Sequence, residues 1–360
     1  MAEILIAAGG TGGHLYPGIA VADELRRRDP ARPVVFVGTP RGLEGRLVPR
    51  AGYPLELLPI LPLNRVGAAG LVKGLLALPW ALVRAVLLVR RRRPQAVLGV
   101  GGYAGGPLVL VAALLGVRTV ILEPNAKPGF TNRVLRPFVH RAACAYEEAR
   151  RYFGAKGVLT GNPVRGGFAR TPRHEHRPPQ TLLVFGGSQG SRVLNDALVA
   201  ALPYLPGPDR LRIVHQTGEA ARAAVADVYA AAGREAEVVA FLDDMEERFA
   251  EADLVLSRAG ATTCAELTAA GKAALLVPFA RAADDHQRVN AKALADAGAA
   301  VMIEEKGLSG AALAAALRDL LDDPRRLEAM ETAALGLGRP DAAARVADLL
   351  VGADTCVQAD

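Results

Sequence analysis

The 360-residue chain is poor in the residues that mark several common classes of protein. Its three cysteines, Cys144, Cys264 and Cys356, form no C-x-x-C pair, so the sequence predicts neither a disulfide framework nor a cysteine metal site. Aromatic residues make up 5% of the chain, and no aromatic–basic motif of an RNA- or DNA-binding module is present. The N-terminus leads directly into an apolar run without a signal peptide, which predicts a cytosolic protein.

The charge balance is positive but does not select one partner. The formal net charge is +6, which suits nucleic acid, an anionic membrane face or phosphorylated substrates. Because the arginines are spread along the chain, we predict no nucleic-acid partner. Hydrophobic residues account for 51% of the chain, and the length fits two α/β domains.

The most apolar segment, residues 71–93, does not reach the length of a membrane span. Arg84 and Pro79 interrupt it, whereas a span needs about 20 apolar residues. Two interpretations stay open: a buried amphipathic helix, or a helix that lies on a bilayer. In the second, the inserted residues are Leu75, Leu76 and Trp80, and those facing anionic lipid are Lys73, Arg84 and 90–93.

Apolar runs alternate with helical patterns in both halves, which predicts an α/β fold with mostly parallel sheets. The predicted strands are 4–8, 34–38, 55–58, 96–99, 119–122, 181–185, 211–215, 238–241, 254–257, 274–277 and 300–303. The predicted helices include 15–28, 71–93, 108–115, 309–321, 324–335 and 341–351. Residues 168–180 lack periodicity and predict a linker near the domain boundary, with domain limits of 1–162 and 163–340.

A glycine turn, Gly9–His14, follows the first predicted strand and opens a helix. This arrangement brings backbone amides close to a phosphate. It is not a complete dinucleotide fingerprint, since Leu15 replaces the third glycine and no acid follows strand 34–38. A turn that merely links strand to helix is the alternative. A shorter echo at Gly186–Gly190 suggests two similarly built halves that face a shared cleft.

A second constellation runs from Ser257 to Glu266 and also joins a strand to a helix. The hydroxyls of Thr262 and Thr263 and the free N–H groups of a helix start suit a diphosphate. Glu266 lies one turn further and suits the two hydroxyls of a ribose. The alternative is a capping box, which would need neither Arg258 nor Gly260, so a nucleotide site is favoured.

A third constellation contains Asp284, Asp285, His286 and Gln287. Adjacent residues of one loop rarely converge on one ion, and no second cluster is present, so we predict no metal. The amide of Gln287 both donates and accepts hydrogen bonds, which suits the hydroxyls of a sugar.

Together these motifs resemble the MurG family of peptidoglycan N-acetylglucosaminyltransferases over nearly the whole chain. The motifs that carry the resemblance are Gly9–His14, Gly101–Pro107, Gly161–Arg165, Gly186–Gly190, Arg258 with Gly260, Glu266, and Asp285–Asn290. The resemblance implies a GT-B fold, with two Rossmann-like parallel-sheet domains that face an inter-domain cleft. It further implies that domain 1–162 serves the acceptor and the membrane, that helix 341–351 returns to it, and that domain 163–340 binds UDP-GlcNAc.

The implied reaction is inverting transfer of GlcNAc from UDP-GlcNAc to the MurNAc 4-hydroxyl of lipid I, which gives lipid II at the cytoplasmic face of the cell membrane. No cofactor is implied. By resemblance, the residues that bind UDP-GlcNAc are Thr11, Gly12, Gly13, Asn125, Arg165, Ser188, Leu242, Arg258, Ala261, Thr262, Thr263, Cys264, Ala265, Glu266 and Gln287. The acceptor side has Gly102, Tyr103 and Gly105.

The attacking hydroxyl must lose its proton, so the reaction needs a base. His14 is the first candidate and Glu123 the second, and helix N-termini with Arg258 would stabilise the departing UDP. One departure from the family is visible: many relatives have His-Glu-Gln-Asn where this chain has Leu122-Glu123-Pro124-Asn125. A role for that histidine or glutamine therefore does not carry over.

Three other functions remain open at this point: another GT-B transferase, such as one that glycosylates diacylglycerol; a UDP-GlcNAc 2-epimerase; and a regulator that binds a nucleotide sugar. The sequence does not indicate whether the protein is a monomer or an oligomer.

Overall fold

The computed structural model describes residues 2–10, 12–40, 42–58, 68–102, 105–172, 175–282 and 285–352, without the side chains of 68–76 and 170. The predicted site residues Thr11, Tyr103 and Asp284 lie outside the described residues, and the side chains of Lys73, Leu75 and Leu76 are likewise not described. The chain divides into two compact units. The first runs from the N-terminus to Arg165 and is rejoined by the chain from Arg339 onward, and the second is Gly166–Gly338.

The first unit is built on a parallel sheet of seven strands in the order β3-β2-β1-β4-β5-β6-β7. Its strands are β1 (Ile4–Ala8), β2 (Val34–Gly38), β3 (Leu55–Leu57), β4 (Ala96–Gly101), β5 (Arg118–Glu123), β6 (Arg141–Cys144) and β7 (Gly157–Leu159). Its helices are α1 (Gly12–Arg28), α2 (Glu44–Arg50), α3 (Ala68–Arg92), α4 (Gly105–Leu114), α5 (Phe130–Leu135), α6 (Glu147–Phe153) and α14 (Ala342–Val351).

The second unit is built on a parallel sheet of six strands in the order β10-β9-β8-β11-β12-β13. Its strands are β8 (Gln180–Phe185), β9 (Leu211–Gln216), β10 (Ala236–Val239), β11 (Leu254–Ser257), β12 (Ala274–Leu276) and β13 (Ala300–Met302). Its helices are α7 (Arg192–Ala201), α8 (Glu219–Ala231), α9 (Met245–Glu251), α10 (Ala261–Ala270), α11 (His286–Asp296), α12 (Gly310–Leu321) and α13 (Pro324–Leu337).

In both sheets the order in which strands are added reverses at the first strand of the unit. In the first unit β1 lies between β2 and β4, and in the second β8 lies between β9 and β11. Ligands of open α/β sheets bind beyond the carboxyl ends of the strands at this switch point. The glycine turns follow β1, β4 and β8, and Arg258 follows β11, so the sequence motifs of each unit meet at its switch point.

The strands form the core because they are apolar on both faces. Every residue of β1, β2 and β8 is buried, as is expected for parallel strands covered by helices on both sides. The returning helix α14 packs on α1 in the first unit, where the Arg28 guanidinium donates to the carbonyl oxygen of Ala344 at 3.0 Å. Arg118 of β5 donates to the carbonyl oxygen of Leu349 at 2.7 Å.

Three strand predictions need correction. Strands β6 and β7 were absent from the sequence-based prediction, because Arg141–Cys144 has only small apolar side chains in its middle and Gly157–Leu159 has three residues. The third is β10, which covers 236–239 rather than the predicted 238–241. Its pairing with β9 begins at Ala236, and the chain leaves the sheet at Ala240, whose carbonyl accepts a hydrogen bond from the Gln216 side chain at 2.9 Å.

The segment predicted as a linker, 168–180, belongs to the second unit, and its described residues include some that are buried there. The buried ring of Phe168 meets Phe249 edge-on at 5.0 Å. His176 is buried with its Nδ1 2.7 Å from Asp253 and its Nε2 3.5 Å from Glu331. Burial lowers the pKa of His176, but these two carboxylates outweigh it and raise the pKa to about 9. Single buried residues such as Phe168 and His176 produce no periodic pattern in the sequence.

Candidate functional site

His14 lies in the first turn of α1, at the switch point of the first unit. Its half-buried ring rests against the backbone of Gly101, which ends β4. A Cβ atom at Gly101 would lie 2.5 Å from the ring Cδ2 and 2.8 Å from Nε2, and Gly101 has a φ of +128°. Only glycine allows this approach without strain, so β4 fixes the place of the imidazole.

The loops that follow β1 and β4 touch through their backbones. A Cβ atom at Gly102 would collide with the carbonyl oxygen of Gly9, and Gly102 has a φ of +78°. Gly105, the third predicted acceptor-side position with Gly102 and Tyr103, begins α4 and is buried. The structure therefore brings Gly101, at the end of β4, and the following Gly102 against His14 and Gly9.

Glu123 ends β5 as a buried carboxylate that organises the following loop. Its Oε1 accepts from the backbone N–H of Asn125 at 3.1 Å and from the Asn125 side chain at 3.3 Å. Its Oε2 accepts from the N–H of Gly129 at 2.8 Å and from Asn132 at 2.9 Å. Burial raises the pKa of Glu123, and the hydrogen bonds from Asn132, Gly129 and Asn125 act against that rise.

This environment bears on the choice of base. Both carboxylate oxygens of Glu123 already accept hydrogen bonds, so this side chain is better suited to holding Asn125 than to taking a substrate proton. Leu122 belongs to the hydrophobic core of the first unit, and Pro124 is buried. The two residues that depart from the family pattern are therefore both buried in this chain.

Arg165 is the last of the predicted site residues in the first unit. Its guanidinium lies over the ring of Tyr16 at 4.5 Å from the centroid. The same ring packs against Gly12, where a Cβ atom would lie 3.1 Å from a Tyr16 ring carbon. Tyr16 was missed by the sequence analysis, although its position one turn after Gly12 on α1 was a usable signal.

In the second unit, the start of α10 contradicts one of the two interpretations of the Ser257–Glu266 segment. The N-cap is Gly260, which has no side chain with which to cap the helix. The capping-box interpretation is therefore wrong, because it needs a threonine at the N-cap. The predicted residues 261–266 form the first turns of the helix, with Cys264 and Glu266 buried and Thr262 and Thr263 half-buried.

Arg258 binds several loops at once in the second unit. Its Nε donates to the Ser191 hydroxyl at 3.0 Å, its Nη1 donates to the Val277 carbonyl at 3.1 Å, and the guanidinium pairs with Glu305 at 2.6 Å. Burial lowers the pKa of Arg258, and the carboxylate of Glu305 opposes that change. Ser191 also caps α7 by accepting from the N–H of Leu194 at 3.4 Å. Sequence reasoning missed both Ser191 and Glu305.

The turn at Gly186–Gly190 exposes Ser188 at its tip. A buried network supports it from below: Asn195 donates to the carbonyl oxygen of Thr217 at 3.0 Å, and a Cβ atom at Gly190 would collide with that oxygen. The imidazole of His215 lies 3.1 Å from the Asn195 amide oxygen. Burial lowers the pKa of His215 to about 4, so this ring is neutral near pH 7 and holds the Asn195 amide in one orientation.

The remaining residues predicted to bind UDP-GlcNAc, Leu242 and Gln287, also belong to the second unit. Leu242 is buried in the loop after β10. Gln287, in the first turn of α11, accepts from the N–H of Phe279 at 3.0 Å, which orients its amide. Asn290, one turn further, donates to the carbonyl oxygen of Ala259 at 3.3 Å and so joins α11 to the loop before α10. Within the described residues, no group of three His, Cys, Asp or Glu side chains has the spacing of a metal site.

The outer face of α3 carries exposed apolar side chains. Ala81, Ala85 and Leu88 face the core. On the opposite face the exposed fractions are 55% for Trp80, 48% for Val83 and 57% for Leu87. Arg84 lies over the Trp80 ring at 5.0 Å. Among the described residues, no helix combines the length and apolar character that crossing a membrane requires.

Comparisons with known proteins agree with this architecture. Residues 4–144 match the N-terminal domain of glycosyltransferase family 28, and residues 181–346 match its C-terminal domain. A Myxococcus xanthus protein is 50% identical over 272 residues, which cover 74% of this chain and 71% of that protein. A Pelobacter propionicus protein is 46% identical over 292 residues, with 74% and 77% covered. Both are named UDP-N-acetylglucosamine–N-acetylmuramyl-(pentapeptide) pyrophosphoryl-undecaprenol N-acetylglucosamine transferase.

Solved structures give the same result. MurG of Acinetobacter baumannii matches with a TM-score of 0.79 and 33% identity, covering 98% of this chain and all 100% of that one. A Neisseria meningitidis UDP-GlcNAc 2-epimerase bound to UDP-GlcNAc matches with a TM-score of 0.69 over 98% of this chain and 100% of that one, but at 12% identity this likeness concerns the fold alone. The predicted GT-B fold and family are confirmed. The chain belongs to glycosyltransferase family 28 and, within it, to the MurG family of N-acetylglucosaminyltransferases.

Proposed function

We propose that this protein transfers GlcNAc from UDP-GlcNAc to the 4-hydroxyl of MurNAc in lipid I, with inversion at the anomeric carbon, and so produces lipid II for peptidoglycan. The names of the relatives at about 50% identity support this substrate pair. The single structural observation that carries the donor assignment is the start of α10. The N-cap of this helix is a glycine, which allows close approach to the helix start, and its buried Glu266 lies on the second turn.

The donor would be held by the second unit. Helix N-termini favour negative charge, so the starts of α7 and α10 suit the diphosphate of UDP and the charge that develops as it leaves. Ser188 would contact the diphosphate, Leu242 would present its backbone to uracil and Gln287 would contact GlcNAc hydroxyls. Arg258 supports this site by fixing the loops around it, because its guanidinium is buried and engaged by Ser191, Val277 and Glu305.

The first unit would supply the acceptor side and the base. The backbones of Gly12, Gly13, Gly102 and Gly105 suit close approach to the lipid-linked diphosphate. His14 would take the proton of the attacking hydroxyl, since an imidazole nitrogen can accept a proton and the ring is held in place by Gly101. Asn125 and Arg165, with Gly12 and Gly13, would contact the donor sugar.

The deciding experiment measures UDP release from UDP-GlcNAc with and without a soluble lipid I analogue. We expect release only when the analogue is present, together with a GlcNAc–MurNAc product. Formation of UDP-ManNAc without acceptor would indicate an epimerase. Preferred transfer to diacylglycerol would indicate another lipid glycosyltransferase, and UDP-GlcNAc binding without any turnover would indicate a regulator.

The proposed location is the cytoplasmic face of the cell membrane, in peripheral contact with anionic lipid. The outer face of α3 supports this location, because Trp80, Val83 and Leu87 are exposed beside Arg84 and the basic end of the helix. A helix that only covers the core would carry polar side chains on this solvent-facing side. Leu75 and Leu76 belong to the same proposal from the sequence.

Changing Leu75, Leu76 and Trp80 together to serine is expected to lower association with anionic vesicles about tenfold or more, because three large apolar groups no longer leave water. Sedimentation with phosphatidylglycerol-containing vesicles measures the effect. The control changes exposed apolar residues of the second unit, Tyr204 and Val228, to serine. Unchanged association in the α3 variant, at unchanged thermal stability, would argue against the membrane role.

A further inference from the structure

A fully buried carboxylate, Glu44, lies in the first turn of α2 and has no part in the reaction as described above. Its Oε1 accepts from the backbone N–H of Thr39 at 2.7 Å and from the Thr39 hydroxyl at 2.8 Å. Its Oε2 accepts from the backbone N–H of Gly10 at 3.0 Å. A buried carboxylate is stable only when such donors replace the lost water, and here three donors do so.

Three glycines enclose this carboxylate. A Cβ atom at Gly42 would collide with the carboxylate itself, and one at Gly38 would lie 2.6 Å from the Glu44 Cγ. A Cβ atom at Gly9 would lie 3.0 Å from Oε1. The backbone at these three glycines therefore approaches the Glu44 side chain too closely to allow a Cβ atom without a shift.

The bond to Gly10 links this carboxylate to the candidate base. Gly10 belongs to the turn that joins β1 to α1, and Glu44 reaches it from the segment that follows β2. On the other side of β1, Gly102 packs on the carbonyl of Gly9 and Gly101 packs on the His14 ring. The turn is thus held on one side by Glu44 and on the other by the end of β4.

We propose that Glu44 is a positioning residue for glycosyl transfer. Its carboxylate holds the chain just after β1 at the N–H of Gly10, so that His14 at the start of α1 stays against Gly101, where it deprotonates the acceptor hydroxyl. The same carboxylate excludes a phosphate from the Gly10 end of the turn, because two anions would compete for one N–H donor. This inference rests on the proposed function.

The test compares Glu44→Gln with the wild type in three measurements: kcat with a lipid I analogue, the Kd of UDP-GlcNAc, and amide hydrogen exchange of a peptide that contains Gly10. The glutamine has almost the same shape, but its NH₂ group cannot accept a hydrogen bond. We expect kcat to fall about 10- to 100-fold, because small displacements of a catalytic group are costly. The Kd should stay within about twofold, and exchange at Gly10 should become faster.

Three further variants keep the result interpretable. Thr39→Val removes one donor to the carboxylate and should lower kcat less than Glu44→Gln does, whereas Thr39→Ser keeps the hydroxyl and should restore wild-type kcat. Thr39→Val also serves if Glu44→Gln does not fold. Glu331→Gln removes a buried carboxylate of the second unit and should lower thermal stability without a selective loss of kcat.

A Glu44→Gln protein with unchanged kcat, or with kcat and donor affinity reduced to the same extent, would overturn the positioning role. Unchanged hydrogen exchange at Gly10 would overturn it too, independently of any activity. Absence of transfer by the wild-type protein would instead refute the proposed function, and the catalytic part of this inference with it.

Discussion

Replacing His14 with alanine is expected to lower kcat for GlcNAc transfer by about 10²- to 10⁴-fold, the usual contribution of general base catalysis. The Kd of UDP-GlcNAc should change by no more than a few-fold, because the nucleotide is assigned to residues of the second unit. Thermal stability should be nearly unchanged, since the ring is half-buried rather than part of the core. Steady-state turnover with a lipid I analogue, calorimetric titration with UDP-GlcNAc and thermal denaturation provide the three measurements.

Glu123→Gln is the matched comparison, because Glu123 is the competing candidate for the base. An amide in place of this carboxylate must lose acceptor contacts with Gly129, Asn125 or Asn132, so this variant should unfold at a lower temperature. If Glu123→Gln lost more turnover than His14→Ala at equal stability, Glu123 would be the better assignment. Equal losses of turnover and donor affinity in His14→Ala would also exclude the role of base.

The features predicted well from the sequence depend on local patterns. Strands such as Ile4–Ala8 and Leu254–Ser257 are continuous apolar runs, and burial on both faces of a parallel sheet produces that pattern. The glycine turns are equally local, because close backbone approach excludes a Cβ atom. The place of His14 beside the end of β4 follows once both strands are assigned to neighbouring positions.

The features that were missed depend on contacts between distant residues. Gly10 and Glu44 are 34 positions apart, and Ser191 and Arg258 are 67 apart. No periodicity connects a carboxylate to a backbone N–H group at such a separation. The same reason explains His176, whose partners Asp253 and Glu331 come from two other elements of the fold.

The structure also changed the interpretation of Arg258, a predicted site residue. Arg258 was expected to stabilise the leaving group, but its guanidinium is engaged by protein atoms from three loops. The sequence motif indicated where Arg258 lies but not what it binds, because charge alone does not reveal which anion or carbonyl group a side chain contacts.

Replacing Glu266 with alanine is expected to weaken binding of UDP and UDP-GlcNAc by about 10- to 100-fold, because a hydrogen bond to a charged group contributes about 1.5 to 3 kcal/mol. The wild type should bind UDP more tightly than 2′-deoxy-UDP, whereas the alanine variant should bind the two alike, since the carboxylate that recognises the 2′-hydroxyl is gone. Calorimetric titration of both nucleotides against both proteins completes this cycle. Asp296→Ala, which removes an exposed carboxylate from the same unit, should bind like the wild type. Intact affinity in Glu266→Ala, or continued discrimination against the deoxynucleotide, would place the ribose elsewhere, because a carboxylate that accepts from both hydroxyls cannot be removed without losing that preference.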